Sequence, residues 1–160
     1  MAFPPLCSLP SNFREYKQLS VSNSRMQILP YHFEGEVVRG FGRGGKELGC
    51  PTANMDDTVI ENLPDGLKVG VYYGKATFKG NTYSMAMSVG WNPQYHNEKK
   101  TVEVHLIDYA GGDFYGKRLS AVIVGYIRDM RSFASLEELK TAIAKDIEIA
   151  RRGTTEQGKL

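Results

Sequence analysis

The residues best suited to chemistry in this chain fall between 37 and 57, in the stretch VVRGFGRGGKELGCPTANMDD. Gly40, Gly42 and Gly45 fit the pattern GxGxxG, and Gly40, Gly45 and Lys46 fit GxxxxGK, with Glu47 where a P-loop needs Ser or Thr. Both motifs depend on a helix directly after the glycines, whose N-terminal amides and dipole receive the phosphate. Here Gly49 and Pro51 would break such a helix within its first turns, so neither motif applies in its strict form. Part of the chemistry survives. A glycine-rich loop lets backbone amides approach an oxyanion with no Cβ in the way, and Lys46 adds a point charge suited to a terminal phosphate. In the PTAN sequence that follows, Thr52 and Asn54 are two residues apart, so their oxygens share one side of an extended segment. Neutral oxygen donors of this kind suit a Mg²⁺ ion that completes its shell with phosphate and water; Zn²⁺ or Mn²⁺ fits the same donors. The plainer alternative is an ordinary glycine-rich turn.

A carboxylate stands further along. In TVEVHLI (101–107), Val102, Val104 and Leu106 point one way and Glu103, His105 and Ile107 the other. If the second face looks into a cleft, Glu103 is a carboxylate on a rigid strand, placed to accept a hydroxyl proton. His105 shares that face and could do the same work. Otherwise both are ordinary surface residues. His32, His96 and His105 form no zinc-ligand pattern.

Strands must position these groups. YHFEGEVVRG leads into the glycine loop. VGVYYGKATF (69–78), alternating through Val69, Val71 and Tyr73, turns at KGN into TYSMAMSV (82–89), where Tyr83, Met85, Met87 and Val89 share a face. GWNPQYHNEKK (90–100) and AGGDFYGKR (110–118) read as loops. LSAVIVGYI (119–127) is apolar on both faces, as in a strand whose outer side is covered. A helix then follows with an apolar pattern of Leu136, Leu139, Ile143, Ile147 and Ala150. Ser135 and Glu138 make a capping box at its start, and Arg151, Arg152 and Gly153 are expected to close it. Five or six strands followed by one helix predict a closed or nearly closed antiparallel barrel with the helix packed outside.

The chain has 160 residues, enough for one domain that buries roughly 70% of the unfolded surface. A net charge of +2 without a run of like charges argues against a nucleic-acid or membrane partner. Residues 1–30, rich in proline and serine, read as an N-terminal extension. Residues 31–153 read as the domain and 154–160 as a tail. Cys7 and Cys50 form no CxxC pair, which favours a reducing compartment. With no signal-peptide pattern, the cytoplasm is the expected location. The Gly158-Lys159-Leu160 ending differs from the peroxisomal tripeptide SKL at its first position.

Taken together, GFGRGGKELGCPTAN, GVYYGKA, SVGWNPQYHNEKKTVEVHL, DFYGKRL and VGYIRDMRSFASLEELKTAIAKDIEIA resemble the riboflavin kinase family, monofunctional eukaryotic type, from about Tyr31 to Arg152. The resemblance implies a six-stranded antiparallel Greek-key β-barrel with a C-terminal α-helix outside. It also implies ATP-dependent phosphorylation of riboflavin at its 5′-hydroxyl, giving FMN and ADP. By the same resemblance Thr52 and Asn54 hold Mg²⁺, and Gly40 and Lys46 lie against the nucleotide phosphates. Glu103 is the catalytic base beside the flavin. Leu106, Asp108 and Tyr115 lie near the nucleotide, and Arg128 and Phe133 near the flavin, with Met130 and Tyr126 as further candidates for its apolar slot. Residues 1–30 have no counterpart in the shared blocks and are too few for the FAD-forming domain of many bacterial relatives. A monomer is expected, with riboflavin and ATP as its partners. The alternatives are a non-catalytic flavin- or nucleotide-binding β-barrel, which would lack a working phosphate loop, and an oligonucleotide-binding barrel, which would want a basic, aromatic face.

Overall fold

Alternating apolar and polar residues become the inner and outer faces of a sheet that closes on itself. The computed structural model describes residues 28–40, 49–91 and 99–156. Its elements are β1 (Tyr31–Val38), β2 (Ala53–Met55), α1 (Asp57–Glu61), β3 (Gly70–Phe78), β4 (Asn81–Trp91), β5 (Lys100–Leu106), β6 (Arg118–Arg128) and α2 (Leu136–Glu156). The strands close in the order β1-β2-β5-β4-β3-β6, each pair antiparallel. The run β6-β3-β4-β5 is a Greek key. The six-stranded barrel with an outer C-terminal helix thus has the expected form.

The interior is filled by Phe33 and Val37 of β1, Ala53 and Met55 of β2, Met85, Met87 and Val89 of β4, Val102, Val104 and Leu106 of β5, and Leu119, Ala121 and Ile123 of β6. β3 keeps the expected alternation, but the sequence did not say which of its faces is the core. Its inward residues are Tyr72, Ala76 and Phe78, while Val71 and Tyr73 occupy the opposite face. Two bulges between β3 and β6 shift the register at Val71/Tyr72 and Tyr73/Gly74, and α2 lies over β3, β4 and β6. With both faces of β3 covered, its alternation no longer marks which one is the core.

Two features differ from the sequence reading. The short helix α1 was not anticipated. Asp56 caps it, accepting from Val59 N at 3.1 Å with one carboxylate oxygen and from Glu36 N at 2.8 Å with the other, which ties the β2–α1 turn back to β1. α2 begins as expected: Ser135 Oγ accepts from Glu138 N at 3.2 Å. The Glu138 carboxylate reaches back one residue beyond the usual capping box, to Ala134 N at 3.1 Å. However, α2 does not stop at Gly153. It runs on to Glu156, and Thr154 is buried and bonded to Ser84 at 2.7 Å, so 154–156 belong to the helix and not to a tail. The buried stripe is Ala142, Asp146, Ala150 and Thr154, whereas Leu136 is 57% exposed.

Gly153 is a packing position. A Cβ there would overlap the Tyr73 ring, which Gly125 confines from β6 in the same way. The expected consequence is that Gly153→Ala destabilises the fold by about 1–3 kcal/mol through overpacking, outweighing the roughly 1 kcal/mol that alanine gains over glycine in a helix. Urea denaturation measures the balance. A gain in stability would show that Tyr73 is free to move.

Candidate active site

Three-residue β2 is the hinge of the site. It pairs with β1 through Val38↔Asn54 and with β5 through Ala53↔Val104 and Asn54↔Glu103. Because Ala53 and Met55 point into the barrel, Asn54 is turned outward, onto the face that carries Glu103 and His105. Thr52 lies on this side too. Its hydroxyl donates to Glu103 Oε2 at 3.0 Å. One turn of the pleat along, His105 Nδ1 is 2.9 Å from the Pro51 carbonyl. That carbonyl can only accept, so Nδ1 carries the proton. Two side chains of β5 thus grip the two residues ahead of β2. Gly40 closes the group from just beyond β1, since a Cβ there would overlap the Asn54 amide. Thr52, Asn54, Glu103 and Gly40 are brought together as the sequence suggested. Lys46 lies outside the described residues, with the rest of 41–48 and with 92–98 of the loop before β5.

Thr52 also stands at the rim of a cavity of about 340 Å³. Its floor is Val37, Ala53, Val104 and Leu106, and its wall is the β5–β6 connection with Tyr109, Phe114 and Tyr115. Tyr109 stands edge-on to Phe78, Tyr83 and Phe114, Phe114 lies tilted against Phe78, and the Arg39 guanidinium covers Tyr115 at 4.5 Å. Leu106 and Tyr115 both line this mostly apolar cleft, which has polar groups at its edge. Asp108 does not line this cavity. It occupies a left-handed turn position (φ 64°) after β5 and pairs with Arg151 of α2 at 2.6 Å, so it anchors the wall.

A second, shallower groove lies between residues 131–133 and the first turns of α2, lined by Phe133 together with Glu137, Thr141 and Lys145. Arg128 stands behind it. Its guanidinium is 5.6 Å from the Phe133 ring and is held by both carboxylate oxygens of Asp146. Tyr126 and Met130 do not line this groove. Tyr126 is turned edge-on to Tyr72, with its hydroxyl on Asp129. That hydroxyl and the Lys68 ammonium hold the Asp129 carboxyl below the usual range. Met130 is exposed beside Gly90.

The sequence reading missed the grip of His105 on Pro51 and the partner of Arg128. The first left no signal, because a side-chain bond to a carbonyl has no pattern in a one-dimensional string. The second left one: an aspartate at 146 in step with Ala142 and Ala150 places a charge on a buried stripe.

The model of the family described as Flavokinase: Riboflavin kinase matches residues 27–154. The riboflavin kinase of Homo sapiens is 49% identical over 128 residues, 79% of this chain and 83% of that protein. Among solved structures, riboflavin kinase from Trypanosoma brucei superposes with a TM-score of 0.56 at 30% identity, covering 77% of this chain and 78% of that one. A macrolide-efflux protein from Streptococcus pneumoniae superposes with a TM-score of 0.64 at 29% identity over 81% of this chain, but this chain spans only 45% of it. A barrel of this topology, a family match along nearly its whole described length and a relative identical at about half of the aligned positions have one reading: the chain belongs to the riboflavin kinase family, whose reaction is the ATP-dependent phosphorylation of riboflavin.

Proposed function

We propose that the β2–β5 pair is where this chain transfers the γ-phosphoryl group of ATP to the 5′-hydroxyl of riboflavin, giving FMN and ADP. The observation that carries this reading is the 3.0 Å bond from the Thr52 hydroxyl to Glu103, with Asn54 directly opposite Glu103 in the ladder. It joins a metal-type donor pair to a proton acceptor in one place.

The donor set fits Mg²⁺ by its chemistry. Thr52 and Asn54 offer hard, neutral oxygens, and among the described residues no cluster of three or more His, Cys, Asp or Glu competes for a softer ion. When bound with ATP, the ion would neutralise charge on the phosphates. The protein's own share is positioning. Glu103, fixed on a strand and already accepting a hydroxyl from Thr52, accepts the proton of the ribityl hydroxyl. His105 holds Pro51, and so the direction of Thr52. The aromatic wall of Tyr109, Phe114 and Tyr115 takes the base of the nucleotide, so its phosphates run out past Thr52 at the rim. Lys46 and the glycine-loop amides meet those phosphates. The groove at Phe133 takes the flavin ring.

The direct test is chromatographic detection of FMN after incubation with riboflavin, ATP and Mg²⁺. A chain that binds flavin without converting it would be a non-catalytic barrel. Glu103→Gln should keep the fold and both substrates but lower turnover about a hundredfold to ten-thousandfold, the range of a lost general base; near-normal FMN formation would remove Glu103 from that role. Gly40→Ala, which pushes the Asn54 amide aside, should raise the Mg²⁺ concentration needed for half-maximal rate and leave the riboflavin KM alone. An unchanged Mg²⁺ titration would separate Asn54 from the metal.

A further inference from the structure

One buried charged group has no part in the chemistry above. Asp146 is 6% exposed, on a helix stripe whose other members are Ala142, Ala150 and Thr154. A carboxylate so placed is costly unless its oxygens are fully engaged. Arg128 engages both: Nε donates to Oδ1 at 3.0 Å and Nη2 to Oδ2 at 2.7 Å. A planar fork on a planar carboxylate fixes orientation as well as distance. Arg128 ends β6, and its Nη1 donates to the Asp129 carbonyl at 3.2 Å, so the same guanidinium shapes the chain as it leaves the barrel. Its Cζ stands 5.6 Å from the Phe133 ring, which Arg131 approaches to 4.9 Å. A helix residue thus sets, through one arginine, where the aromatic lining of the groove lies.

We propose that Asp146 is a positioning residue for the flavin substrate, holding Arg128 so that Phe133 presents its ring to the groove between residues 131–133 and α2. This rests on the reading that the groove takes the flavin ring. It assigns Asp146 to the flavin side of the reaction and predicts a defect there and not on the nucleotide side.

The test compares Asp146→Asn, Asp146→Glu, Arg128→Lys and Phe133→Ala by steady-state kinetics in both substrates, with thermal melting alongside. Asp146→Asn keeps the shape but loses the charge. It should raise the riboflavin KM at least about tenfold, the scale of a lost charge-assisted pair, with the ATP KM unchanged. Asp146→Glu, which restores the carboxylate, should recover part of that loss. Arg128→Lys, which keeps the charge but not the fork, should show the same split if Asp146→Asn fails to fold. An unchanged riboflavin KM in these variants, or a parallel rise in both KM values, overturns the assignment and leaves the pair a structural one. Phe133→Ala tests the underlying reading. If it leaves the riboflavin KM unchanged, the groove is not the flavin site. If it raises that KM while Asp146→Asn and Arg128→Lys do not, the groove stands and only the role of Asp146 falls.

Discussion

The site depends on the pairing of β2 with β5. β2 is three residues long, yet it alone joins β1 to β5 and so completes the barrel. A strand this short has few ladder bonds of its own, and its register would be poorly specified if the pleat alone set it. The barrel supplies the missing constraint from several directions. Ala53 and Met55 are buried in the core, Thr52 is bonded to Glu103, Pro51 is bonded to His105, and Asp56 binds the β1 backbone. A one-residue slip would turn Asn54 into the core and Ala53 outward. The requirement to bury the apolar pair is therefore what presents the polar pair to Glu103.

α2 plays a complementary part. Its stripe of small residues lets it lie close on β3, β4 and β6, and two of its charged side chains reach segments that border ligand-sized spaces. Asp146 holds Arg128 behind the groove at Phe133, and Arg151 holds Asp108 at the start of the connection that walls the cavity. These two pairs differ in energetic character. The Arg151–Asp108 pair is exposed on both sides and contributes little by itself, since solvent screens it. The Arg128–Asp146 pair is largely withdrawn from water, so removing one partner strands a buried charge. The helix is thus a firm support at the groove and a light tether at the cavity.

Much of this was legible in the sequence, for identifiable reasons. Valines at 102 and 104 around Glu103 fixed its outward direction, because strand periodicity is strict. Thr52 and Asn54 fell on one side for the same reason. Two kinds of feature were not legible. Where a strand is covered on both faces, as β3 is, alternation shows that Val71 and Tyr73 share a side but not which side is the core. Where a residue serves a distant neighbour, local rules mislead: Gly153 has the look of a helix stop but is there to make room for Tyr73. Asp108 was expected beside the nucleotide on resemblance, and its carboxylate is taken up by Arg151. Pairings such as His105 with Pro51, across 54 positions, exist only once the chain is folded.

We propose that metal, nucleotide phosphates and the accepting hydroxyl meet at the β2–β5 pair. A crystal structure with riboflavin, a non-hydrolysable ATP analogue and Mn²⁺, located by its anomalous scattering, tests it most directly. The expected result is a metal bound by the Thr52 and Asn54 side-chain oxygens, with the terminal ribityl hydroxyl within hydrogen-bond reach of Glu103. A metal bound elsewhere on the barrel, or a ribityl chain that ends away from Glu103, would contradict it.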